Sequence, residues 1–293
     1  MKLVAIDMDG TLLHSEKYVS DYTAEVVQRM KHEGHSFVIA TGRSLDDAKE
    51  IVTKADIPAE AYVCANGAVI AEGNGKILKE EHLHINTATN IASWLNERHF
   101  YFHLATSNGI YATDDAYQFF LNDLHEYVRT QPNSEVLKEG IRDQADQHLK
   151  DIGLQMLPAP EDIPSHRFTA YKFLVLSLFP ERLQMIRDAW ENDGEINITS
   201  SGRDNLEIMP AEVGKGSGLQ YIAEHLGIAL ENTVAIGDNY NDLSMFKTAG
   251  LSIAMGNAET EVKKITHTTT DDNDNDGVAT AIEKHILKRN TLI

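Results

Sequence analysis

Asp7 and Asp9, separated only by Met8, close the short apolar run Leu3-Val4-Ala5-Ile6. Such a run suits a buried strand, where two negative charges are costly unless a cation shares them. Three other segments carry groups able to do polar chemistry. "ATGRS" follows a second strand-like run, "GKGSGL" opens a helix-like stretch, and "GDNYND" follows a late strand-like run. In an open parallel sheet, ligands sit in the crevice at the carboxyl ends of the strands, where such loops gather. That placement brings Asp7, Asp9, Thr41, Lys215, Asp238 and Asp242 together. Four carboxylates there repel one another unless a cation intervenes. A donor set made only of oxygen favours a hard ion such as Mg²⁺.

The elements that must position these groups alternate along the first eighty residues. Lys2–Met8 is strand-like, and Tyr22–Lys31 places Val26, Val27 and Met30 on one helical face. "HSFVIATG" is a second strand, Leu45–Ala55 a second helix, and "AYVCANGA" a third strand with a turn at Asn66-Gly67. Alternation of this kind predicts a parallel sheet covered by helices on both faces. From about His82 the texture changes. Asn86–Arg98 is helical in pattern, and "FYFHLA" and "GIYAT" form a hairpin about Ser107-Asn108-Gly109. Asp114–Tyr127 is an aromatic-rich helix, and Arg129–Pro164 is polar and carries no clear pattern. "YKFLVLSLF" is a strand, Glu181–Asn192 a helix and "EINITSS" a strand. The parallel pattern then resumes with "NLEIMP", the helix Gly216–Leu226, "TVAIGD", Asn241–Thr248, "LSIAMG" and a closing helix Val278–Leu287. The expected fold class is therefore α/β: a Rossmann-like core formed by residues 1–81 and 193–293, interrupted by an α+β insert at residues 82–192.

Composition narrows the function. The 293 residues are 42% hydrophobic, enough for one large or two modest cores. The net charge of −19 argues against a broad nucleic-acid surface and against anionic membranes. It leaves room for a small phosphorylated partner, because a metal ion and one or two cations can reverse the local field. A single cysteine, Cys64, excludes an internal disulfide framework and fits a reducing compartment. With no signal-like segment and no membrane-length apolar run, the expectation is a cytoplasmic protein with no obligate protein partner.

The order "DMDGTLL", "ATGRS", an intervening lysine and "GDNYND", with a long insert between the second and third motifs, resembles the haloacid-dehalogenase superfamily. Within it the chain is similar to the Cof-like branch with a C2B-type cap. The resemblance spans essentially the whole chain. It implies an aspartyl-phosphate mechanism in which Asp7 is the nucleophile and Asp9 the acid–base group. It implies Mg²⁺ held by Asp7, the Asp9 carbonyl and Asp238, with Asn239 or Asp242 close by or through water. Thr41, the Gly42 amide, the Met8 amide and Asn241 would hold phosphate oxygens, with Arg43 a weaker candidate, and Lys215 would stabilise charge on the transferring group. The implied reaction is hydrolysis of a small phosphate monoester, such as a sugar phosphate, pyridoxal phosphate or 5-amino-6-(5-phospho-D-ribitylamino)uracil. A phosphomutase of the same superfamily and a non-catalytic phosphosugar sensor are the alternatives.

Plainer explanations compete at several positions. Thr41 suits the N-cap of the helix that follows it, and Asn66-Gly67 suits an ordinary turn. Lys215 at a helix start runs against the dipole preference for acids there, which favours a functional role. "VGKGSG" lacks the first glycine and the Ser or Thr of a P-loop, and the spacings of His82 with His84 and His99 with His103 lack further metal-ligand partners. Asp272, Asp274, Asp276, Gly277 and Glu283 match a calcium-loop pattern, yet the preceding "ITHTTTDD" is strand-like where that loop requires a helix. Tyr101, His103, Tyr111 and Tyr117 are candidates within the insert for contacting the leaving group.

Overall fold

The computed structural model describes residues 1–130, 140 and 153–287, and the chain divides into two units, Met1–Glu81 with Val213–Ile293, and His82–Glu212. The first unit is built on β1 (Leu3–Ile6), β2 (Ser36–Ala40), β3 (Ala61–Cys64), β4 (Val69–Glu72) and β5 (Ile77–Glu80). It also takes three strands from late in the chain. The second unit intervenes with β6 (Tyr101–Thr106), β7 (Gly109–Thr113), β8 (Gln155–Leu157), β9 (Ala170–Leu176), β10 (Ile196–Thr199) and β11 (Asn205–Pro210). The late core strands are β12 (Thr233–Gly237), β13 (Leu251–Ala254) and β14 (Thr268–Thr269).

The core sheet has the order β14-β13-β12-β1-β2-β3-β4-β5. Its first six strands run parallel, and β4 and β5 turn back antiparallel. β1 is fully buried, as expected for a strand covered on both faces. In register, Ile6 lies beside Ile236 on one side and Ile39 on the other. Chain order departs in opposite directions from β1, so its carboxyl end is the switch point of the sheet. Leu219, Ile222 and Ala223 of the helix Lys215–His225 pack with Ala5, Val38 and Val63. Each large aliphatic group so buried contributes about 1.5–3 kcal/mol.

The second unit is a sheet of order β10-β11-β9-β6-β7-β8, antiparallel except for the β7–β8 pair. The helix Ile85–Glu97 puts Ala88, Ile91, Ala92 and Leu95 against one face, where Phe102, Phe173, Val175, Leu206 and Ile208 meet them. The helix Ala116–Thr130 covers part of the other face through Phe120, Leu124 and Val128.

The boundary expected at residue 193 moves to 213. "NLEIMP" is β11, and it pairs antiparallel with β9 and β10 in the second sheet rather than opening the returning core. The stretch Ser200-Ser201-Gly202-Arg203-Asp204 before it is a hairpin signal that the alternating core pattern overrode, and the apolar run by itself reveals neither its sheet nor its direction. β5, with its exposed and half-buried residues, carried no strand pattern at all. The hairpin about Ser107-Asn108-Gly109 is present as β6–β7. Most of the unpatterned stretch from Arg129 lies outside the described residues, and the rest contains β8 and the turn Pro160–Ser165.

Cys64, at the end of β3, is fully buried, and burial pushes its thiol well above the usual range. The folded protein is therefore expected to resist thiol reagents and to label only in denaturant. Rapid modification without loss of structure would contradict that burial.

Candidate active site

Asp7 continues β1 by one residue, and its backbone N–H donates to the Ile236 carbonyl at 3.0 Å. The chain then turns back on itself, with the amides of Thr11 and Leu13 donating to Met8 O and that of Leu12 to Asp7 O. Gly10 makes this turn possible. Its φ is +76°, and a Cβ there would lie 2.6 Å from Asp238 Oδ2. Asp238 follows β12, the neighbour of β1, and accepts a hydrogen bond from Thr11 Oγ1 at 2.9 Å.

Lys215, at the first position of its helix, has no solvent exposure. Its Nζ lies 2.6 Å from Asp7 Oδ1 and 2.6 Å from Asp242 Oδ1. Asp242 is equally buried, and its second oxygen accepts the backbone N–H groups of Asp238 (2.9 Å) and Asn239 (3.0 Å). The carboxylate thus closes the 237–243 loop and anchors the lysine. Asn239 Oδ1 accepts the Tyr240 amide at 2.9 Å within the same capping box.

Asp7, Asp238 and Asp242 each offer an oxygen within 4.8 Å of the others'. Burial raises Asp7 well above its ordinary value; Asp242 and Asp238 reinforce this, and Lys215 opposes it. Burial likewise pushes Asp238 up to about 7, with the Asp242 charge adding to the effect. Burial alone would lower Lys215, but Asp242 and Asp7 outweigh it and hold the ammonium firmly protonated. One lysine among three carboxylates leaves an excess of buried negative charge. That excess and the all-oxygen donor set fit a hard divalent cation. Gly10→Ala is expected to push Asp238 aside, weakening divalent-cation binding about tenfold and costing ~1–2 kcal/mol for the strained backbone. Cation titration followed by thermal unfolding checks both effects.

Asp9 is half-exposed and held by two cations. Arg43 grips it with Nε at 2.6 Å and a terminal nitrogen at 2.8 Å, and Lys17 Nζ lies 2.9 Å away. Partial burial works the other way, but Arg43 and Lys17 hold the carboxyl well below the usual range. The remaining Arg43 nitrogen binds Asp47 at 2.7 Å, so its fork faces carboxylates rather than an open phosphate position. Thr41 is buried, accepts the Arg43 amide on Oγ1 at 3.2 Å, and precedes half-buried Gly42. It is not the helix cap. Ser44 caps Leu45–Lys54 by accepting the Asp47 amide. Asn241 donates from Nδ2 to Asn66 Oδ1 at 3.4 Å.

The calcium-loop pattern proves to be a clasp, with its acids already occupied by protein donors. Asp272 accepts Asn275 Nδ2 at 2.8 Å, and Asp274 accepts the Ser15 amide at 2.8 Å with His14 at 3.3 Å. Asp276 binds Ser20 and Thr23, and Glu283 binds Tyr22 and Arg29. Asn273 reaches Leu13 O at 2.9 Å, and Asn257 reaches Gly10 O at 2.8 Å. These contacts secure the loop beyond Asp9. Sequence reasoning missed the clasp because it requires partners some 250 positions apart.

In the second unit, Tyr101 packs with Phe120 and Leu124, and Tyr111 with Phe168 at a ring separation of 5.0 Å. Both serve the core of that unit. His103 and Glu207 flank Leu174 on neighbouring strands, and Lys172 pairs with Glu207 on that face. Among the described residues, the histidine spacings form no metal cluster.

The sequence of residues 4–282 matches the haloacid dehalogenase-like hydrolase family, and the chain belongs to it. Phosphatase YwpJ of Bacillus subtilis is 32% identical over 98% of this chain and 100% of its own length. The 5-amino-6-(5-phospho-D-ribitylamino)uracil phosphatase YwtE of the same organism is 32% identical over 97% of this chain and 98% of its own. The solved structure of a haloacid dehalogenase-like hydrolase from B. subtilis superposes with a TM-score of 0.83, at 32% identity, over 98% of this chain and 100% of that one. Within the family the chain is a phosphatase of the Cof-like type, a phosphoric monoester hydrolase. No helix among the described residues is long and apolar enough to cross a membrane.

Proposed function

We propose that the protein hydrolyses small organic phosphate monoesters with Mg²⁺ through an aspartyl-phosphate on Asp7. The observation that carries this reading is the buried clamp of Lys215 on Asp7 and Asp242, with Asp238 alongside. Asp7, Asp238 and the Asp9 carbonyl hold the metal, which when bound neutralises charge where an anionic ester must approach. Asp242 serves chiefly to orient Lys215, since its oxygens already accept three hydrogen bonds.

In the first step an Asp7 oxygen bonds to phosphorus, the bond to the leaving oxygen breaks, and the Asp9 carboxyl gives that oxygen its proton. In the second step the Asp9 carboxylate takes a proton from water. The water oxygen bonds to phosphorus, inorganic phosphate departs, and Asp7 is restored. Thr41, the amides of Met8 and Gly42, and Asn241 hold the equatorial oxygens, while Lys215 stabilises their charge. Asp9 gripped by Arg43 and Lys17 is in the ionised form that the second step needs. The first step needs it protonated, so an entering substrate must draw these cations away. Arg43 then becomes free to meet the phosphoryl group.

Within the insert, His103, Lys172 and Glu207 form a polar group on one face of its sheet. The substrate is a small phosphorylated metabolite in the cytoplasm. Phosphate release from sugar phosphates, pyridoxal phosphate and 5-amino-6-(5-phospho-D-ribitylamino)uracil, with and without Mg²⁺, tests the reading. Magnesium-dependent release is expected. Transfer of the phosphoryl group to a second sugar hydroxyl without release would instead establish a mutase.

A further inference from the structure

Asn66 has no part in the chemistry above, yet an ordinary turn does not account for its surroundings. The turn Ala65–Gly67 follows β3, and Asn66 adopts φ 57°, ψ 24° with 1% exposure. Left-handed asparagine is normal turn chemistry, but turns of that kind usually face solvent. This one touches three loops. The Asn66 amide donates to Thr41 O at 2.9 Å, and the Ala65 amide to Arg43 O at 2.9 Å. Asn66 Oδ1 accepts from Asn241 Nδ2. Gly67, at φ +105°, lies so close to Gly214 that a Cβ would fall 2.4 Å from its carbonyl oxygen, one residue before Lys215.

The side-chain Nδ2 of Asn66 is also buried without a hydrogen-bond partner. A buried donor left in that state is costly, and its retention calls for a compensating role. We infer that Asn66 is a positioning residue for phosphoryl binding: its turn holds the loops of Thr41, Lys215 and Asn241 together, and its carboxamide orients that of Asn241. The inference rests on the phosphoryl-binding roles proposed above for those three residues. Asn66 acts through Asn241 rather than on the reacting atoms.

The test is a double-mutant cycle. Asn66→Gly keeps the left-handed turn and the amide donated to Thr41, and removes only the carboxamide. Its KM for the ester and its inhibition constant for inorganic phosphate are expected to rise together by about tenfold, with kcat within about twofold. Adding Asn241→Ala to that variant is expected to cause little further loss. Asn66→Asp keeps an acceptor for Asn241, and in that background Asn241→Ala is expected to cost as much as in the wild type. An unchanged inhibition constant in Asn66→Gly, or losses that multiply independently with Asn241→Ala, would overturn the inference. Wild-type turnover separates this from the proposed function: its absence counts against the hydrolase reading alone. Calorimetric titration with inorganic phosphate reads the Asn66 cycle in either case.

Discussion

Asp7→Asn is expected to reduce phosphate release by at least about 10³-fold while raising the melting temperature of the metal-free protein. The two effects share one cause. Burial and the charges of Asp242 and Asp238 raise Asp7 well above its ordinary value, and only Lys215 relieves the crowding. Exchanging that carboxylate for an amide removes the proposed nucleophile and one of three mutually repelling acids. The amide oxygen can still accept from Lys215 Nζ, and Asp242 keeps its own bond to the lysine. Thermal unfolding in a chelator, beside an assay with excess Mg²⁺, reads both quantities. A variant that still turned over at the wild-type rate would remove Asp7 from the mechanism.

Lys215→Met should have the larger effect on stability. The ammonium is completely buried and bridges two carboxylates, one of them also without exposure. Removing one member of a buried ionic set leaves uncompensated charge and typically costs ~3–5 kcal/mol. A hydrophobic replacement of similar length fills the space but not the electrostatic role. The pH dependence follows from the raised acids. Asp7 lies well above its ordinary value and Asp238 at about 7, both chiefly through burial. A carboxyl raised in the folded state binds its proton more tightly there than in the unfolded chain, so its contribution to stability grows as pH falls. The deficit of Lys215→Met is therefore expected to narrow between about pH 8 and about pH 5, because a neutral carboxyl needs no cation. Denaturant titrations of both proteins across that interval would measure it. A deficit independent of pH would mean that packing, not charge, sets the role of Lys215.

The core and the placement of its polar motifs were legible because each motif sits where a strand gives way to a turn. Apolar runs identified β1, β2, β3 and β12, and the polar residues just beyond them mark the crevice. The oddity of a lysine opening a helix became its burial between two acids. Pairing was less legible than type. Asp242 looked like one more metal ligand; it lies in the acidic cluster, and its oxygens also accept from Lys215 and from two backbone amides. Arg43 looked like a phosphate or surface cation, and its guanidinium lies on Asp9. β11 looked like returning core and joined the other sheet. In each case the residue type was informative, and the partner was fixed by tertiary geometry that spacing along the chain does not encode.

The clasp of Asn257, Asn273 and Asp274 on the Gly10–Ser15 loop has a consequence for biosynthesis. The "DMDGTLL" motif depends on residues made 247 to 260 positions later. β1 must also wait for β12, some 226 residues later, to gain its second neighbour (233 minus 7, counted from Asp7). At ordinary translation speeds that interval is roughly 10–45 s; Lys215 is made only near its end, and Asp238 and Asp242 after it. A growing chain that has not reached these residues is thus an incomplete enzyme. Chains halted at residue 256 should carry every proposed phosphoryl-binding residue and still bind inorganic phosphate weakly, until the closing segment fastens the loop from behind.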